Sequence, residues 1–436
     1  MKPLQIPVEH KTLLNGLHVV IAPDSTAPVV TVGVYYKIGF RREPQGRSGF
    51  AHLFEHMMFQ GSENAAKMQH IKLINSSGGV LNGSTMYDVT NYYEAVPSNA
   101  LERVLWLEAD RMHALKVDDE NLRNQRDVVK EEVRVNVMNQ PYGGFPWLDM
   151  PPVAFRNWAN AHNFYGDFAD LDAASLTDVQ TFFRTYYVPN NAVLLILGDV
   201  NVADGFALAE KHFAHIPAGP SPKFADPSEP RQTEERRGDV VEKFGTLPAM
   251  AIGYVMPQRR TPDWYAMGLL DQFLHGGRAG RIYRELVLEK QLAVEADGGI
   301  DDIFGYNGPT QMTTRILHKP ELTSEETLAA FDAIIADVHG TGITDAELQQ
   351  VKVKWRSDYF GTLEGGRGGY MPKYGLMHLL ACFTLFDGEP QLVNSILDSF
   401  LAVSKQQVQD FARTYLRPEN RAIVFRKPVA ATQEAA

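Results

Sequence analysis

"FFRTYYVPNN", Phe182 to Asn191, returns 229 residues later as "FARTYLRPEN", Phe411 to Asn420. Phe, Arg, Thr, Tyr, Pro and the final Asn coincide at that constant offset. Each copy follows a helix-like stretch and precedes an apolar, strand-like run, "AVLLILGDV" (Ala192 to Val200) and "RAIVFRKP" (Arg421 to Pro428). An earlier strand pattern also recurs, as "VVTVGVYYKIG" (Val29 to Gly39) and "AMAIGYVMP" (Ala249 to Pro257). A period this long is no solenoid unit. The 436 residues therefore read as two homologous halves, in keeping with a length beyond one ordinary domain.

Between the halves lies "IPAGPSPKFADPSEPRQTEERRGD", Ile216 to Asp239, with five prolines between Pro217 and Pro230 followed by a charged run. Proline denies both helix interior and central strand, so this is an extended connector. The division is then 1–215, a linker 216–239, and 240–436. Within each half, strand-like runs lead into long amphipathic helices such as Ala100 to Ala114 and Asp119 to Met138. Thr344 with Glu347 and Ser404 with Gln407 form capping-box patterns at other helix starts. Strands and helices do not alternate strictly. The fold class expected is α+β, two homologous α/β-sandwich halves joined by an extended linker.

Composition excludes several function classes. The chain is 44% hydrophobic and 22% charged, with 42 Lys plus Arg against 53 Asp plus Glu, a net charge of −11. That disfavours nucleic acid or an anionic membrane surface as main partner. No run of 18 apolar residues spans a bilayer. The opening "MKPLQIPVEHKTLLNGLHVV" lacks the apolar core of a signal peptide. The single cysteine, Cys382, excludes an internal disulfide. "HGGRAG" and the glycines of "GGRGGYMPKYG" lack the GK[ST] of a phosphate loop, so nucleotide binding is not expected.

The chemistry concentrates in "GFAHLFEHMMFQG", Gly49 to Gly61. From Ser48 to Phe59 the stretch is helical in propensity and free of proline. On a helix His52 and His56, four apart, share one face, and Glu55 flanks it. Imidazoles so spaced can direct a nitrogen each at one zinc, and the neighbouring carboxylate can reach its water. The pattern is the inverted zinc-peptidase motif H-x-x-E-H. On spacing alone it reads equally as a histidine pair hydrogen-bonded in a core. A zinc hydrolase also needs a third protein ligand. In "NQRDVVKEEVRVNVMNQPYGG", Asn124 to Gly144, Glu132 is four from Val128 and three from Val129, on the apolar stripe. Glu131 falls on the polar side. A carboxylate on an apolar stripe is costly unless paired or metal-bound, which selects Glu132. Without the histidine motif both glutamates would read as surface residues.

His52 to His56 followed 76 residues later by Glu132 resembles the pitrilysin/insulysin family of inverted-motif zinc peptidases. The short two-halved chain is similar to the branch containing mitochondrial processing peptidase and its bacterial relatives. "GGVLNGSTMYDVTNYYEAVP" (Gly78 to Pro97) is similar to that family's strand beside the metal, and "YYVPNNAVLLILGDV" to its end-of-half signature. The resemblance implies one zinc held by His52, His56 and Glu132, with Glu55 as general base. It implies an edge strand over Asn82, Gly83, Ser84 and Thr85 that lays a peptide alongside by β-augmentation. From that segment alone the reading is a plain edge strand with a glycine kink. Gln125, two helical turns before Glu132, stands where many family members carry a supporting glutamate.

One departure from the family pattern is in the second half. "RIYRELVLEKQLAVEADG" (Arg281 to Gly298) resembles a segment in which active members carry an arginine and, seven residues on, a tyrosine that hold substrate and oxyanion. Aligned on "EKQLA", those positions are Val287 and Val294. Arg367 and Tyr374 have the same spacing but lie in the glycine-rich stretch, and read as loop residues. The resemblance thus implies a zinc endopeptidase acting on unfolded peptides, completed by a homologous partner that lacks H-x-x-E-H but carries the Arg and Tyr. The competing reading is a non-catalytic scaffold resembling the core subunits of the respiratory cytochrome complex. Bacterial relatives of this branch are often exported, which points to the periplasm, with the cytoplasm as the alternative.

Overall fold

The computed structural model describes residues 5–365 and 371–429. These fall into two compact units whose segments interleave along the chain. The first comprises Met1–Glu131, Phe164–Asp226 and Asp358–Leu397, and the second Glu132–Asn163, Pro227–Ser357 and Asp398–Ala436. Each half of the sequence therefore lends a segment to the other's unit, which a contiguous division at the linker does not describe. The division passes between Glu131 and Glu132, inside the continuous helix Asp119–Val133. That helix is anchored in the first unit, where Leu122 and Val129 join the core cluster and Lys130 pairs with Asp172.

In the first unit β1 (Glu9–Thr12), β2 (His18–Pro23), β3 (Val29–Tyr36), β4 (Val80–Thr85), β5 (Thr90–Pro97) and β6 (Ala192–Gly198) form one sheet in the order β1-β2-β6-β3-β5-β4. β2 and β6 run parallel, and the other neighbours are antiparallel. β3, β5 and β6 are buried almost throughout, which is why β3 and β6 read as near-continuous apolar runs rather than as an alternation, while β5 also buries Thr90, Asn91 and Glu94. β4 sits at the edge and is more polar.

Even-numbered residues of β3 (Val30, Val32, Val34, Tyr36) join the core cluster, with Phe50, Leu53 and Phe54 of the helix Phe50–Met57 and Val104, Leu105 and Met112 of the helix Leu101–Ala114. The opposite face is covered by the helix Tyr374–Cys382. Its Tyr374 ring lies 4.8 Å from Tyr93, and its His378 ring 5.8 Å from Tyr35. Tyr374 is thus not the loop residue its glycine-rich surroundings suggested. It opens a helix whose Leu376, Met377, Leu379 and Leu380 are buried. Arg367 lies outside the described residues.

In the second unit β7 (Arg236–Glu242), β8 (Ala249–Val255), β9 (Ala293–Gly299), β10 (Gln311–His318) and β11 (Arg421–Pro428) are ordered β7-β11-β8-β10-β9. This is the first sheet's order without β1, again with a parallel pair, β7 with β11. The repeated motif does the same work twice. Ser175 and Ser404 close capping boxes at the helices Leu176–Tyr186 and Lys405–Tyr415. The Asn191 amide then donates to the Tyr186 carbonyl at 2.9 Å, and the Asn420 amide to Tyr415 at 2.8 Å, before each chain enters β6 or β11. The mixed, two-unit α+β fold is the one expected. Residues 217–235 hold no helix or strand, as their prolines require, but the charged end of the expected linker, from Arg236, is already β7. Asp119 to Met138, expected as one helix, is α-helical only to Val133 and continues as a π-turn, Arg134–Met138. No helix among the described residues is long and apolar enough to cross a membrane.

Candidate metal centre

The helix Phe50–Met57 starts from Gly49, whose φ of +83° puts it in the left-handed region where a side chain would be strained. Its N-terminal amides are capped from a distance. The Glu43 carboxylate accepts from the Gly49 amide at 2.9 Å and the Ala51 amide at 2.6 Å, placing negative charge at the positive end of the helix. Ser48 donates to Asp170 through both its amide and its hydroxyl, at 3.0 and 2.6 Å. A Cβ at Gly166 would stand 2.4 Å from the Gly49 nitrogen, so the 164–166 loop approaches as closely as it does only because of glycine. That approach sets Phe164 and Tyr165 against His52, with ring centroids at 4.9 and 5.3 Å.

His52 is buried and His56 half-buried. Their rings lie 5.0 Å apart at 85°. The helix Asp119–Val133 brings in Glu132, and ligand atoms of His52, His56 and Glu132 all lie within 4.8 Å of one another. Glu131, its neighbour, is exposed. Of the two valines that placed Glu132 on a stripe, Val129 is fully buried but Val128 is 42% exposed, so Val129 alone marks the inner face. Gln125 is buried on that helix. Two imidazoles and a carboxylate converging this closely are the donor set of a catalytic zinc site, and the residues fit that metal.

Glu55, half-buried, does not join the three donors. It meets β4 instead: the Thr85 hydroxyl donates to Glu55 Oε2 at 2.7 Å. The residues expected to form one peptide-binding strand, Asn82, Gly83, Ser84 and Thr85, indeed lie in edge strand β4, but their side chains divide between its faces. Gly83 and Thr85 face the helix carrying Glu55. Asn82 and Ser84 pair across β5 with Tyr93 and Asn91, the residues that touch Tyr374 on the other face.

A second cluster was not foreseen. His70, Glu94 and Glu108, all buried, also bring ligand atoms within 4.8 Å of one another. A cation is already present there. Arg111 Nε donates to Glu108 Oε2 at 3.0 Å and Nη2 to both Glu108 Oε1 and Glu94 Oε1, so the guanidinium takes the place a metal would need. His70 Nε2 lies 3.1 Å from Glu94 Oε1. Burial pushes the Glu108 carboxyl up to about 8, against the pull of Arg111, and drives the His70 imidazole down to about 3.

In the second unit the long helix after β8, Pro262–His275, carries Asp271 and His275. His275 Nδ1 lies 2.8 Å from Asp271 Oδ1 and Nε2 2.9 Å from the Thr314 hydroxyl. Both ring nitrogens are engaged within the protein, and no group of three metal-ligating residues is found in that unit among the described residues. Val287 is half-buried in the π-turn Arg284–Glu289, and Val294 lies 55% exposed on β9.

Residues 18–142 match the family model described as insulinase (peptidase family M16), and residues 173–354 the model described as the peptidase M16 inactive domain. The chain is 30% identical over 438 residues to the zinc protease PqqE of Helicobacter pylori, covering 96% of this chain and 93% of that protein. It is 28% identical over 213 residues to cytochrome b-c1 complex subunit 1, mitochondrial, of Homo sapiens, covering 49% of this chain and 44% of that one. The crystal structure of a protease from Helicobacter pylori superposes with a TM-score of 0.89 at 28% identity, covering 97% of this chain and all of that one. Both domain models along its length, and a zinc protease related over nearly the whole of it, show that the chain belongs to the insulinase family, peptidase family M16.

Proposed function

We propose that this chain is the catalytic chain of a zinc endopeptidase acting on unfolded peptides. The observation that carries the reading is the convergence of His52, His56 and Glu132 within 4.8 Å, with Glu55 on the same helix as the two histidines. His52, His56 and Glu132 would hold the zinc. A bound zinc polarises the scissile carbonyl and lowers the pKa of a water to about 7. Glu55 takes the proton of the attacking water at Oε1 and returns it to the leaving amine, while Thr85 engages Oε2. β4, at the edge of its sheet, hydrogen-bonds an extended peptide through backbone, so selection is by lack of structure more than by side chain.

The side chains of Val287 and Val294 carry no hydrogen-bond donor. We therefore assign the oxyanion and substrate clamp to a homologous partner chain bearing arginine and tyrosine at those positions. A scaffold like the respiratory subunit needs neither three converged donors nor a carboxylate beside them. The test is metal analysis together with turnover of an unstructured peptide. Purified protein is expected to carry about one zinc per chain, His52→Ala to lose it, and Glu55→Gln to keep it without turnover. Zinc far below one equivalent in wild-type protein would favour the scaffold.

A further inference from the structure

Edge strand β4 does more for the reaction than present its backbone to a peptide. Its two residues on the helix-facing side both meet Glu55. Thr85 donates its hydroxyl to Glu55 Oε2 at 2.7 Å and lies 3.5 Å from the Ala51 carbonyl one turn earlier on the same helix. Gly83 leaves a space that Glu55 fills. A Cβ there would stand 3.2 Å from Glu55 Cγ, 3.3 Å from the Asn91 carbonyl oxygen and 3.4 Å from Tyr92 Cδ1. Contacts at 3.2 and 3.3 Å, one to the Glu55 side chain and one to the backbone of β5, require Glu55 and the strand pair to give by a few tenths of an ångström. Register fixes both residues: Gly83 pairs with Tyr92 and Thr85 with Thr90. The Tyr92 hydroxyl holds the Phe54 carbonyl at 3.1 Å, so strand and helix are tied beside the glutamate.

We infer that Thr85 is a positioning residue for the Glu55 carboxylate, and that Gly83 is glycine to give that carboxylate its clearance. This rests on Glu55 being the general base. The threonine fixes one carboxylate oxygen and turns the other toward the reacting water. A glutamate side chain has three rotatable bonds, and a single hydrogen bond at 2.7 Å removes most of that freedom before substrate arrives. The strand thereby divides its labour. Its backbone edge is for the peptide, Gly83 and Thr85 are for the base, and Asn82 and Ser84 belong to the far face.

The active holoenzyme tests this with Thr85→Val, Thr85→Ser and Gly83→Ala. Misplacing a reacting group by about 1 Å can cost on the order of a hundredfold. Thr85→Val is expected to lower kcat by roughly tenfold to a hundredfold on that scale, with KM and zinc content unchanged. Thr85→Ser, which keeps the donor, restores most of kcat. Gly83→Ala lowers kcat with zinc retained. A readout independent of turnover is the Kd of a fluorescent unstructured peptide for Glu55→Gln protein, which adding Thr85→Val should leave unchanged. If Thr85→Val instead raises KM and that Kd while kcat stands, Thr85 is a substrate contact and the inference falls. If Thr85→Val turns over like wild type while Glu55→Gln is dead, the inference falls and the base assignment survives. If Glu55→Gln turns over normally, the base assignment itself fails. Thermal melts of each variant separate a folding defect from these outcomes, and the serine variant keeps the test open should valine unfold the unit.

Discussion

The Arg111 guanidinium lies over the Tyr92 ring, 4.5 Å from its centroid, and Tyr92 in turn donates its hydroxyl to the Phe54 carbonyl of the histidine-bearing helix. One buried cation thus supports two buried glutamates and the tyrosine that ties β5 to the histidine-bearing helix. Removing it leaves the Glu94 and Glu108 carboxyls without the guanidinium that donates to them, in a site closed to water. Breaking a buried charge network in this way costs about 3–5 kcal/mol. Arg111→Met should show that loss in urea unfolding. Tyr92→Phe, which forfeits the hydroxyl's hydrogen bond to the Phe54 carbonyl, should cost about 1 kcal/mol. Equal stability of Arg111→Met and wild type would mean that the guanidinium contributes nothing to the cluster it sits in.

The same cluster makes stability depend on pH. Burial raises Glu108 from its ordinary 4.5 to about 8, so the folded chain holds a proton that the unfolded chain has released. That contribution is complete below pH 4.5 and is lost as pH rises toward 8. Burial raises Glu94 as well, adding in the same sense. Burial lowers His70 from 6.5 to about 3, so its contribution is present above 6.5 and lost as pH falls toward 3. The two oppose each other between 4.5 and 6.5, and Glu108 acts without His70 between 6.5 and 8. Urea midpoints of wild type should fall across that upper window, and those of Glu108→Gln should fall less. Parallel curves would place the proton elsewhere.

What the sequence discloses is what lies close along the chain. His52, Glu55 and His56 fall within five residues of one helix, so helical geometry alone brings them together. The repeat is legible because its Ser, Pro and Asn act locally, capping a helix and turning into a strand. Glu132 was chosen over Glu131 on two valines, of which one faces solvent. Thr85 could be assigned to a strand, whereas its partner depends on the pairing of β4 with β5 and on the helix above, neither of which is local. His70, Glu94 and Arg111 come from a helix, a strand and another helix. The available signal was Glu108 with Arg111, an i,i+3 charge pair set between the buried Leu107 and Met112. Tyr374 was misread because the glycines before it masked the apolar helix after it.

Glu132 and Glu131 give opposite expectations on one helix. Glu132 converges with the histidines and Glu131 is exposed, so Glu132→Ala should strip the zinc and Glu131→Ala should not. Gln125 is buried on the same helix, two turns earlier. If it supports the site at one remove, Gln125→Ala should weaken zinc affinity by roughly tenfold to a hundredfold. Competition with a chromogenic chelator measures all three. Loss of zinc from Glu131→Ala with retention in Glu132→Ala would reverse the ligand assignment.

The isolated chain should be nearly inactive even when loaded with zinc. Val287 is half-buried in its π-turn and Val294 is 55% exposed on β9, and neither side chain carries a donor. Removing one preorganised oxyanion donor typically costs on the order of a hundredfold to a thousandfold in turnover, and here two are missing at once. A homologous chain supplying arginine and tyrosine would restore them, and each chain would be half an enzyme. The measurement is turnover of an unstructured peptide by this chain alone, then with candidate partners of similar length added in turn. Addition of the right partner should raise turnover by at least a hundredfold on that scale. Replacing the partner's arginine or tyrosine should abolish the gain, while Glu55→Gln in this chain abolishes it from the other side. Full turnover by the zinc-loaded single chain, with mass spectrometry detecting no second protein, would overturn the two-chain reading and locate the oxyanion donors elsewhere in this chain.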